Sequence, residues 1–227
     1  MLRVENASVS IAGSQILRDV SLQITAGRTT VLLGRNGAGK TTTLRTIMGL
    51  LPLDKGRLML DDEDITSRPV YDRASLGIGY APEDRRLIGQ FSVEENLLLP
   101  ALALNLSRSA QKERLEGIYD LLPELAGFRR RRGGALSGGQ GKMVALGRAL
   151  MVATKGILLD EPFQGLAPAL ALNYAKTLAR VREERTELAL LITESSPQLL
   201  DSITDETLLI ERGQIRSATG LHDAGAH

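Results

Sequence analysis

A glycine-rich loop lies between a short apolar run and an amphipathic stretch, and it limits the folds open to this chain more than any other segment. The loop, residues 34–41, reads GRNGAGKT. The residues before it, Val31–Leu33, form an unbroken apolar run, which is typical of a strand covered on both faces. The residues after it repeat at the spacing of a helix that buries one face: Leu44, Ile47, Met48 and Leu51. A strand, a glycine turn and a helix in this order predict a phosphate-binding loop.

The residue types in the loop suit a triphosphate. Gly34 and Gly39 permit backbone torsions and a close approach that side chains would block, so successive N–H groups can point at phosphate oxygens. Lys40 can neutralise the β- and γ-phosphates, the Thr41 hydroxyl can ligate Mg²⁺, and Thr42 can contact the α-phosphate. A glycine turn with a surface lysine is the alternative, which the position between strand and helix disfavours. The candidate nucleotide-binding residues are Gly34, Arg35, Asn36, Gly37, Ala38, Gly39, Lys40, Thr41 and Thr42.

Two adjacent carboxylates follow a second apolar run, Ile157–Leu159. Asp160 and Glu161 would lie at the carboxyl end of a buried strand, where open α/β sheets bind ligands. We expect Asp160 to hold Mg²⁺ and Glu161 to deprotonate the water that attacks the γ-phosphate. Their side chains would point to opposite faces if the strand continued. An Asp-Glu-Pro turn is the alternative, and the phosphate loop disfavours it.

A second anion-binding element is LSGGQ at residues 136–140. A helical stretch follows, with Met143, Leu146 and Leu150 on one face, and Ser137 is a good N-cap. A hydroxyl, two glycines that expose N–H groups and a helix N-terminus can bind phosphate. The candidate residues are Ser137, Gly138, Gly139 and Gln140.

Elsewhere the pattern alternates strands with helices, which predicts a parallel α/β sheet. Alternating apolar residues predict half-buried strands at Val20, Leu22 and Ile24 and at Leu58 and Leu60. A third unbroken run is Leu188–Ile192, and helical spacing recurs at Tyr174, Thr177, Leu178 and Val181. A terminal hairpin is predicted at Leu208–Ile215, around Arg212 and Gly213.

The middle of the chain, residues 85–150, lacks strand signals and reads as an inserted helical lobe. Helical stretches at Val93–Leu99 and Lys112–Leu122 are expected to break at Pro100, Pro123 and Gly127.

Composition excludes several classes of site. The chain has no cysteine, and both histidines, His222 and His227, fall in a glycine-containing tail that we expect to be solvated. A thiolate or histidine metal centre is therefore excluded. The N-terminus carries no secretion signal, so we expect an intracellular protein. The richest apolar stretch, Leu97–Leu106, is about half of the roughly twenty residues that a membrane span needs.

The GRNGAGKT loop, LSGGQ and ILLDEP, in this order, resemble the ATP-binding subunit of an ABC transporter. Ser137 precedes Asp160 by 23 positions, and Arg148 falls where the helix of this family carries an arginine. The resemblance covers roughly residues 2–216. It implies an α/β P-loop NTPase fold of the ABC type, with a mixed sheet, an antiparallel β subdomain and an inserted helical subdomain.

The resemblance implies one ABC ATPase domain over residues 1–227, with a core and its antiparallel part in 1–84 and 151–216. Residues 85–150 are then the helical subdomain and 217–227 a tail. The implied activity is hydrolysis of ATP with Mg²⁺, coupled to transport across a membrane. Two copies, or one copy and a similar subunit, would clasp two ATP molecules head to tail, with LSGGQ of one closing over the nucleotide of the other.

The same resemblance implies the partners. They are permease subunits at the cytoplasmic face of a bacterial inner membrane and, indirectly, a periplasmic substrate-binding protein. Three segments narrow it to importers of branched-chain or other hydrophobic amino acids: Pro82–Arg86, Val93–Leu97 and Gly165–Pro168. Importers of urea or short amides share much of this pattern. The stretch Arg85–Leu104 is expected to dock into the permease.

Three positions depart from the usual pattern of the family. Glu83 stands where a glutamine ordinarily contacts Mg²⁺, and Ile11 stands where an aromatic ring ordinarily stacks on adenine. Ser195 stands where a histidine ordinarily faces the γ-phosphate. Serine cannot carry a positive charge there, and losing one such contact commonly costs on the order of 10²-fold in rate. We therefore expect intact binding and slow turnover.

Two other functions are considered. The first is a nucleotide-responsive subunit with very low ATPase activity, which Ser195 suggests. An ABC protein that acts on DNA or ribosomes is disfavoured, because 227 residues leave no room for a second cassette or a long coiled coil. The basic run Arg129–Arg132 reads as a solvated hinge or as a contact with anionic lipid or permease. Nucleic acid is not expected, since only 3% of residues are aromatic.

Overall fold

The computed structural model describes residues 1–217. In chain order its strands are β1 (Leu2–Ile11), β2 (Ser14–Ile24), β3 (Thr29–Leu33), β4 (Lys55–Leu60), β5 (Glu63–Asp64), β6 (Ile78–Ala81), β7 (Gly156–Asp160), β8 (Ala189–Glu194), β9 (Glu206–Glu211) and β10 (Gln214–Ser217). Its α-helices are α1 (Lys40–Ile47), α2 (Asp72–Ser75), α3 (Val93–Ala103), α4 (Arg108–Leu121), α5 (Pro123–Gly127), α6 (Gly138–Leu150) and α7 (Pro168–Glu184). A 3₁₀ turn spans Gly133–Ala135.

The larger sheet has six strands in the order β10-β9-β3-β8-β7-β6. Neighbours from β9 to β6 pair in parallel, and β10 pairs antiparallel with β9, so the sheet is mixed. The three unbroken apolar runs of the sequence form β3, β7 and most of β8, and they are buried because both faces of the sheet are covered. The carboxyl ends of β3, β7 and β8 therefore meet at one edge.

Alternate residues of these strands feed two separate cores. Val31 and Ile157 pack into a cluster with α6 and α7. Leu32 and Leu158 point the other way, into a cluster with α1 and the smaller sheet. The period of two along a strand thus places helices on one face and an antiparallel layer on the other.

The smaller sheet has the order β2-β1-β4-β5, with antiparallel neighbours. Val20, Leu22 and Ile24 are buried and the residues between them are exposed, which confirms the predicted half-buried strand. Its apolar face rests on Leu44 and Ile47 of α1, so this layer supports the helix that follows the glycine-rich loop.

Two sequence expectations about helices are wrong. Helix α1 ends at Ile47, before Leu51, because Gly49 adopts a left-handed φ of 72° that turns the chain away. Helix α3 continues through Pro100 to Ala103. A proline removes one helical hydrogen bond, but Leu97 and Ala101 on either side are fully buried in the cluster that contains α6, which offsets the loss.

Helices α3 to α6 occupy residues 93–150, and the described chain has no named strand between β6 and β7. Pro123 begins α5 at its first position, and Gly127 ends it, as the sequence indicates. The predicted hairpin is confirmed as β9 and β10, joined by Arg212 and Gly213 with positive φ. His222, His227 and the rest of the tail beyond Ser217 lie outside the described residues. In residues 1–217, no helix combines the length and the apolar character that a membrane crossing requires.

Candidate active site

The glycine-rich loop connects the carboxyl end of β3 to the first residue of α1. Gly37 and Gly39 have φ values of 79° and 114°, a region that favours glycine. A Cβ on Gly39 would also lie 2.9 Å from Leu17 Cδ2. Gly39 caps α1 without any side-chain hydrogen bond, so the first N–H groups of this helix remain available. The loop therefore has the backbone geometry of an anion-binding site.

Lys40 folds back over this loop and is only 4% exposed. Its Nζ donates to Gly34 O at 2.5 Å and to Arg35 O at 3.2 Å. It also lies 3.0 Å from Glu161 Oε1 in a buried ion pair. The cation is thus held inside the loop, beside the carboxylate that the sequence singles out as the base.

The two adjacent carboxylates face the same loop. Strand β7 ends at Asp160, and Glu161 turns away from strand geometry with a φ of 43°. Strand β7 therefore does not continue through Glu161, so the side chains of Asp160 and Glu161 are not required to point to opposite faces of the sheet. Asp160 Oδ1 accepts from the Thr41 hydroxyl at 3.0 Å, while Glu161 reaches Lys40.

Neighbouring strands hold Asp160 in place. Its Oδ1 accepts a second hydrogen bond from the Thr193 hydroxyl at 2.9 Å, and its Oδ2 accepts from the Tyr80 hydroxyl at 3.3 Å. Tyr80 lies on β6 and Thr193 on β8, the two strands that flank β7. This carboxylate is therefore oriented from both sides of its own strand.

Negative charge is crowded at this edge of the sheet. Burial raises the pKa of Asp160 above its ordinary value, and hydrogen bonds from Thr193, Thr41 and Tyr80 oppose that rise. Partial desolvation also raises the pKa of Glu83, an exposed residue, with further contributions from Glu161 and Asp160. Carboxylates that repel one another beside a partly desolvated cavity are relieved by a cation, so the site favours one electrostatically.

A cavity of about 440 Å³ opens beside these groups. Ile11, 39% exposed, and Glu83 contribute to its walls. Its other lining residues are Ile16, Asn36, Gly37, Gly39, Lys40, Thr41, Thr42, Glu161 and Gln164. Gly34, Arg35 and Ala38 instead line a neighbouring cavity, next to Leu209–Arg212.

The donor set fits a triphosphate with Mg²⁺. The cavity combines one buried ammonium, a loop of backbone N–H groups, two threonine residues and carboxylate oxygens. Among residues 1–217 no cluster of three or more acidic or histidine side chains could hold a metal alone. Mg²⁺ typically takes one or two carboxylates and completes its shell with phosphate and water, and Asp160 with Thr41 offers oxygens of this kind. When bound there, Mg²⁺ supplies positive charge to the phosphate oxygens.

Ser195 lies directly against the loop. Its hydroxyl accepts from Lys40 Nζ at 3.1 Å and donates to Asn36 Oδ1 at 3.1 Å. The position that the sequence resemblance assigns to a histidine therefore carries a neutral group within contact of Lys40.

The LSGGQ segment begins α6 with a capping box. Ser137 Oγ accepts from the Gln140 N–H at 3.3 Å, and Gln140 Oε1 accepts from the Ser137 N–H at 3.1 Å. Gly138 is exposed, whereas Gly139 is buried against Leu170. Gly138 is thus more exposed to solvent than Gly139. None of these four residues lines the 440 Å³ cavity.

Sequence reasoning missed four residues of this site: Tyr80, Lys142, Thr193 and Glu194. Thr193 is the register partner of Asp160, so the pairing of β7 with β8 would have indicated it. Lys142 donates to the carbonyl of Glu161 at 2.6 Å, and Glu194 Oε1 accepts from the Phe163 N–H at 3.0 Å. In the sequence, Lys142 could have been noticed as a lysine beside the apolar face of α6, and Glu194 as a carboxylate at the end of a buried strand.

The chain is similar to known proteins over nearly its whole length. The family model described as "ABC transporter" matches residues 17–164. The lipopolysaccharide export system ATP-binding protein LptB of Escherichia coli K12 is 33% identical over 216 residues, 94% of this chain and 88% of that protein. A probable branched-chain amino acid transport ATP-binding protein, LivF of Archaeoglobus fulgidus, is 33% identical over 95% of this chain and 90% of its own. The structure of MJ1267, an ATP-binding cassette of an ABC transporter, superimposes with a TM-score of 0.83 at 30% identity, covering 96% of this chain and 90% of that one.

Proposed function

This chain belongs to the ABC transporter family, as an ATPase subunit that binds ATP with Mg²⁺, and from that premise we propose that it powers a membrane permease. The observation that carries the proposal is the gathering of Lys40, Thr41, Asp160 and Glu161 around one cavity at the carboxyl edge of the larger sheet. The Lys40 ammonium and the N–H groups that open α1 bind and orient the triphosphate.

The carboxylates at the cavity have different roles in this proposal. Asp160, with Thr41, holds Mg²⁺, and Glu83 on the cavity wall is the third candidate ligand. Glu161 takes the proton of the attacking water. In the structure its carboxylate is paired with Lys40, so we propose that the phosphates of ATP draw Lys40 away and leave Glu161 free to act as the base.

The working unit in this proposal is a head-to-tail pair of subunits, either two copies or this chain with a similar one. Ser137 and Gly138 are exposed and lie apart from the cavity of their own chain, which supports their closing over the nucleotide of a partner. Ile11 then covers the base with apolar surface and without a ring to stack.

The segment Arg85–Leu104 is the proposed permease contact, at the cytoplasmic face of the membrane. Ile88 and Phe91 are exposed apolar side chains in this segment, while Leu97 is fully buried in the core and is not available for docking. The permease contact therefore rests on the turn before α3 and on the exposed Leu102 rather than on the whole helix.

For the cargo we propose branched-chain or other hydrophobic amino acids, imported with the help of a periplasmic binding protein. The LivF relative supports this, and urea or short amides are the neighbouring possibility. Export of lipopolysaccharide is a second candidate, since LptB proteins match at the same level of identity. Purifying the chain with its permease and measuring ATP-dependent leucine and urea uptake into vesicles, beside lipopolysaccharide extraction, separates the three.

The test of the site is Glu161→Gln. We expect turnover to fall by at least about 100-fold, while ATP still binds and holds the dimer together. Unchanged turnover in this variant would reject Glu161 as the base. Turnover of the parent, with and without reconstituted permease, distinguishes a transport ATPase from a nucleotide-responsive subunit with very low activity, the alternative that Ser195 motivates.

A further inference from the structure

Glu161 has a backbone conformation that its own residue type disfavours. Its φ of 43° lies in the left-handed region, which a non-glycine residue adopts only at a cost in free energy. Such a conformation persists only where neighbouring groups hold it. The contacts that hold Glu161 therefore also decide where its carboxylate points.

Both backbone groups of Glu161 are bonded by residues from other elements. Its N–H donates to Thr193 O at 3.1 Å and to Thr193 Oγ1 at 3.2 Å. Its carbonyl accepts from Lys142 Nζ at 2.6 Å and, within its own turn, from the Gln164 N–H at 3.2 Å, so Lys142 is the donor that ties this carbonyl to another element. Thr193 belongs to the rigid sheet, since it pairs with Asp160 across β7 and β8.

Lys142 belongs to a different part of the molecule. It lies on α6, the helix that Ser137 caps, five residues beyond that serine. Its side chain is partly buried, yet among residues 1–217 no carboxylate oxygen forms an ion pair with it within 4.0 Å. The charges of Glu194, Glu83, Arg85 and Glu161 act on it from further away. The hydrogen bond to the Glu161 carbonyl is thus the specific contact of this ammonium.

We infer that Lys142 is a positioning residue through which α6 holds Glu161 in the orientation needed for hydrolysis. The helix that presents Ser137 to a partner's nucleotide is then linked to the base of its own chain. A shift of α6 changes the direction of the Glu161 carbonyl and, with it, of the carboxylate. The inference rests on the proposed role of Glu161 as the base.

The test compares Lys142→Met, which removes the donor and keeps an apolar stem, with Lys142→Arg, which keeps a donor. Lys176→Met on the exposed side of α7 is the matched control. The rate is measured in single-turnover assays, with the protein in excess over MgATP. We expect Lys142→Met to lower the rate of ATP hydrolysis about 10-fold to 100-fold, with ATP affinity within about twofold of the parent. Lys142→Arg should recover most of the rate, and Lys176→Met should match the parent.

A double variant distinguishes positioning from general stability. If Lys142 acts through Glu161, adding Lys142→Met to Glu161→Gln causes no further loss of rate. An equal additional loss in the double variant, or a parental rate in Lys142→Met alone, overturns the inference and leaves the base assignment standing. A parental rate in Glu161→Gln overturns both. If Lys142→Met has a lowered melting temperature, Lys142→Gln, which keeps a shorter hydrogen-bond donor, replaces it in the same comparison. Lys142→Gln must then lower the hydrolysis rate of the parent and cause no further loss in Glu161→Gln.

Discussion

Lys40 Nζ lies 3.0 Å from Glu161 Oε1, and the two side chains are 3% and 8% exposed. The pair joins the phosphate loop to the end of β7. A buried ion pair contributes little net stability, but removing one partner leaves a buried charge uncompensated.

This pair makes a prediction about stability. Lys40→Met should lower the free energy of unfolding by about 3 kcal/mol, because Glu161 loses its counter-charge. The double variant Lys40→Met with Glu161→Gln should regain most of that loss. Urea unfolding of the three proteins measures it. A double variant no more stable than Lys40→Met would show that the pair does not set the cost.

Ser195→His should raise the rate of ATP hydrolysis about 10-fold while changing ATP affinity little, because an imidazole can present positive charge near the γ-phosphate. Ser195 already contacts Lys40 and Asn36, so the position faces the site. Ser196→His, one residue further along the chain, is the control. Steady-state kinetics with MgATP provide the measurement, and an unchanged kcat in Ser195→His would contradict the explanation for slow turnover.

Glu194 makes stability depend on pH. Burial raises the pKa of Glu194 from 4.5 to about 6, so the folded protein binds this proton more tightly than the unfolded chain does. The resulting destabilisation is absent below about pH 4.5, grows as the pH rises through 6, and is complete above it. Glu194→Gln should therefore raise the free energy of unfolding by about 2 kcal/mol at pH 7.5 and leave it unchanged at pH 4. Denaturant titrations at both pH values test this, and a gain of the same size at both would contradict it.

Tyr80→Phe should reduce the gain in ATP affinity that Mg²⁺ provides, without affecting the fold. It removes one of the hydroxyls that orient Asp160, and loss of such a supporting hydrogen bond typically weakens metal binding by about 10-fold. Binding of ATP measured with and without Mg²⁺ should show a smaller gain from the metal in the variant. Tyr119→Phe, whose hydroxyl contacts Glu94 at 2.9 Å, is the matched control and should behave as the parent does.

Gly147→Ala should destabilise the helical region by about 1–3 kcal/mol. A Cβ at this position of α6 would lie 2.8 Å from Leu97 Cδ2 and 3.2 Å from Ile118 Cγ2, both in fully buried side chains. Gly127→Ala at the end of α5 meets nothing within 4 Å and should cost far less. Thermal unfolding of both variants makes the comparison, and equal losses would argue against close packing of α3 and α4 on α6.

Local patterns predicted the elements that carry the chemistry. The ABC-type α/β fold expected from the three motifs is confirmed by the family match and by the structural neighbours. The order of strand, loop and helix around GRNGAGKT, the strand before Asp160 and the cap at Ser137 also appear where the sequence indicates them. Helix boundaries that depend on tertiary packing could not be predicted from the local pattern, as the continuation of α3 through Pro100 shows.

Torsional preference and spacing act over a few neighbouring residues, so the strand end, the glycine turn and the helix start could all be predicted from the amino-acid sequence. The contact of Lys40 with Glu161, the link that Thr193 makes between Asp160 and the backbone of Glu161, and the contact of Lys142 with Glu161 arise from the packing of the folded chain. These contacts join residues 19 to 121 positions apart in the chain. They depend on how parallel strands pair and how α6 packs on the sheet, and such contacts leave no periodic signal in the sequence.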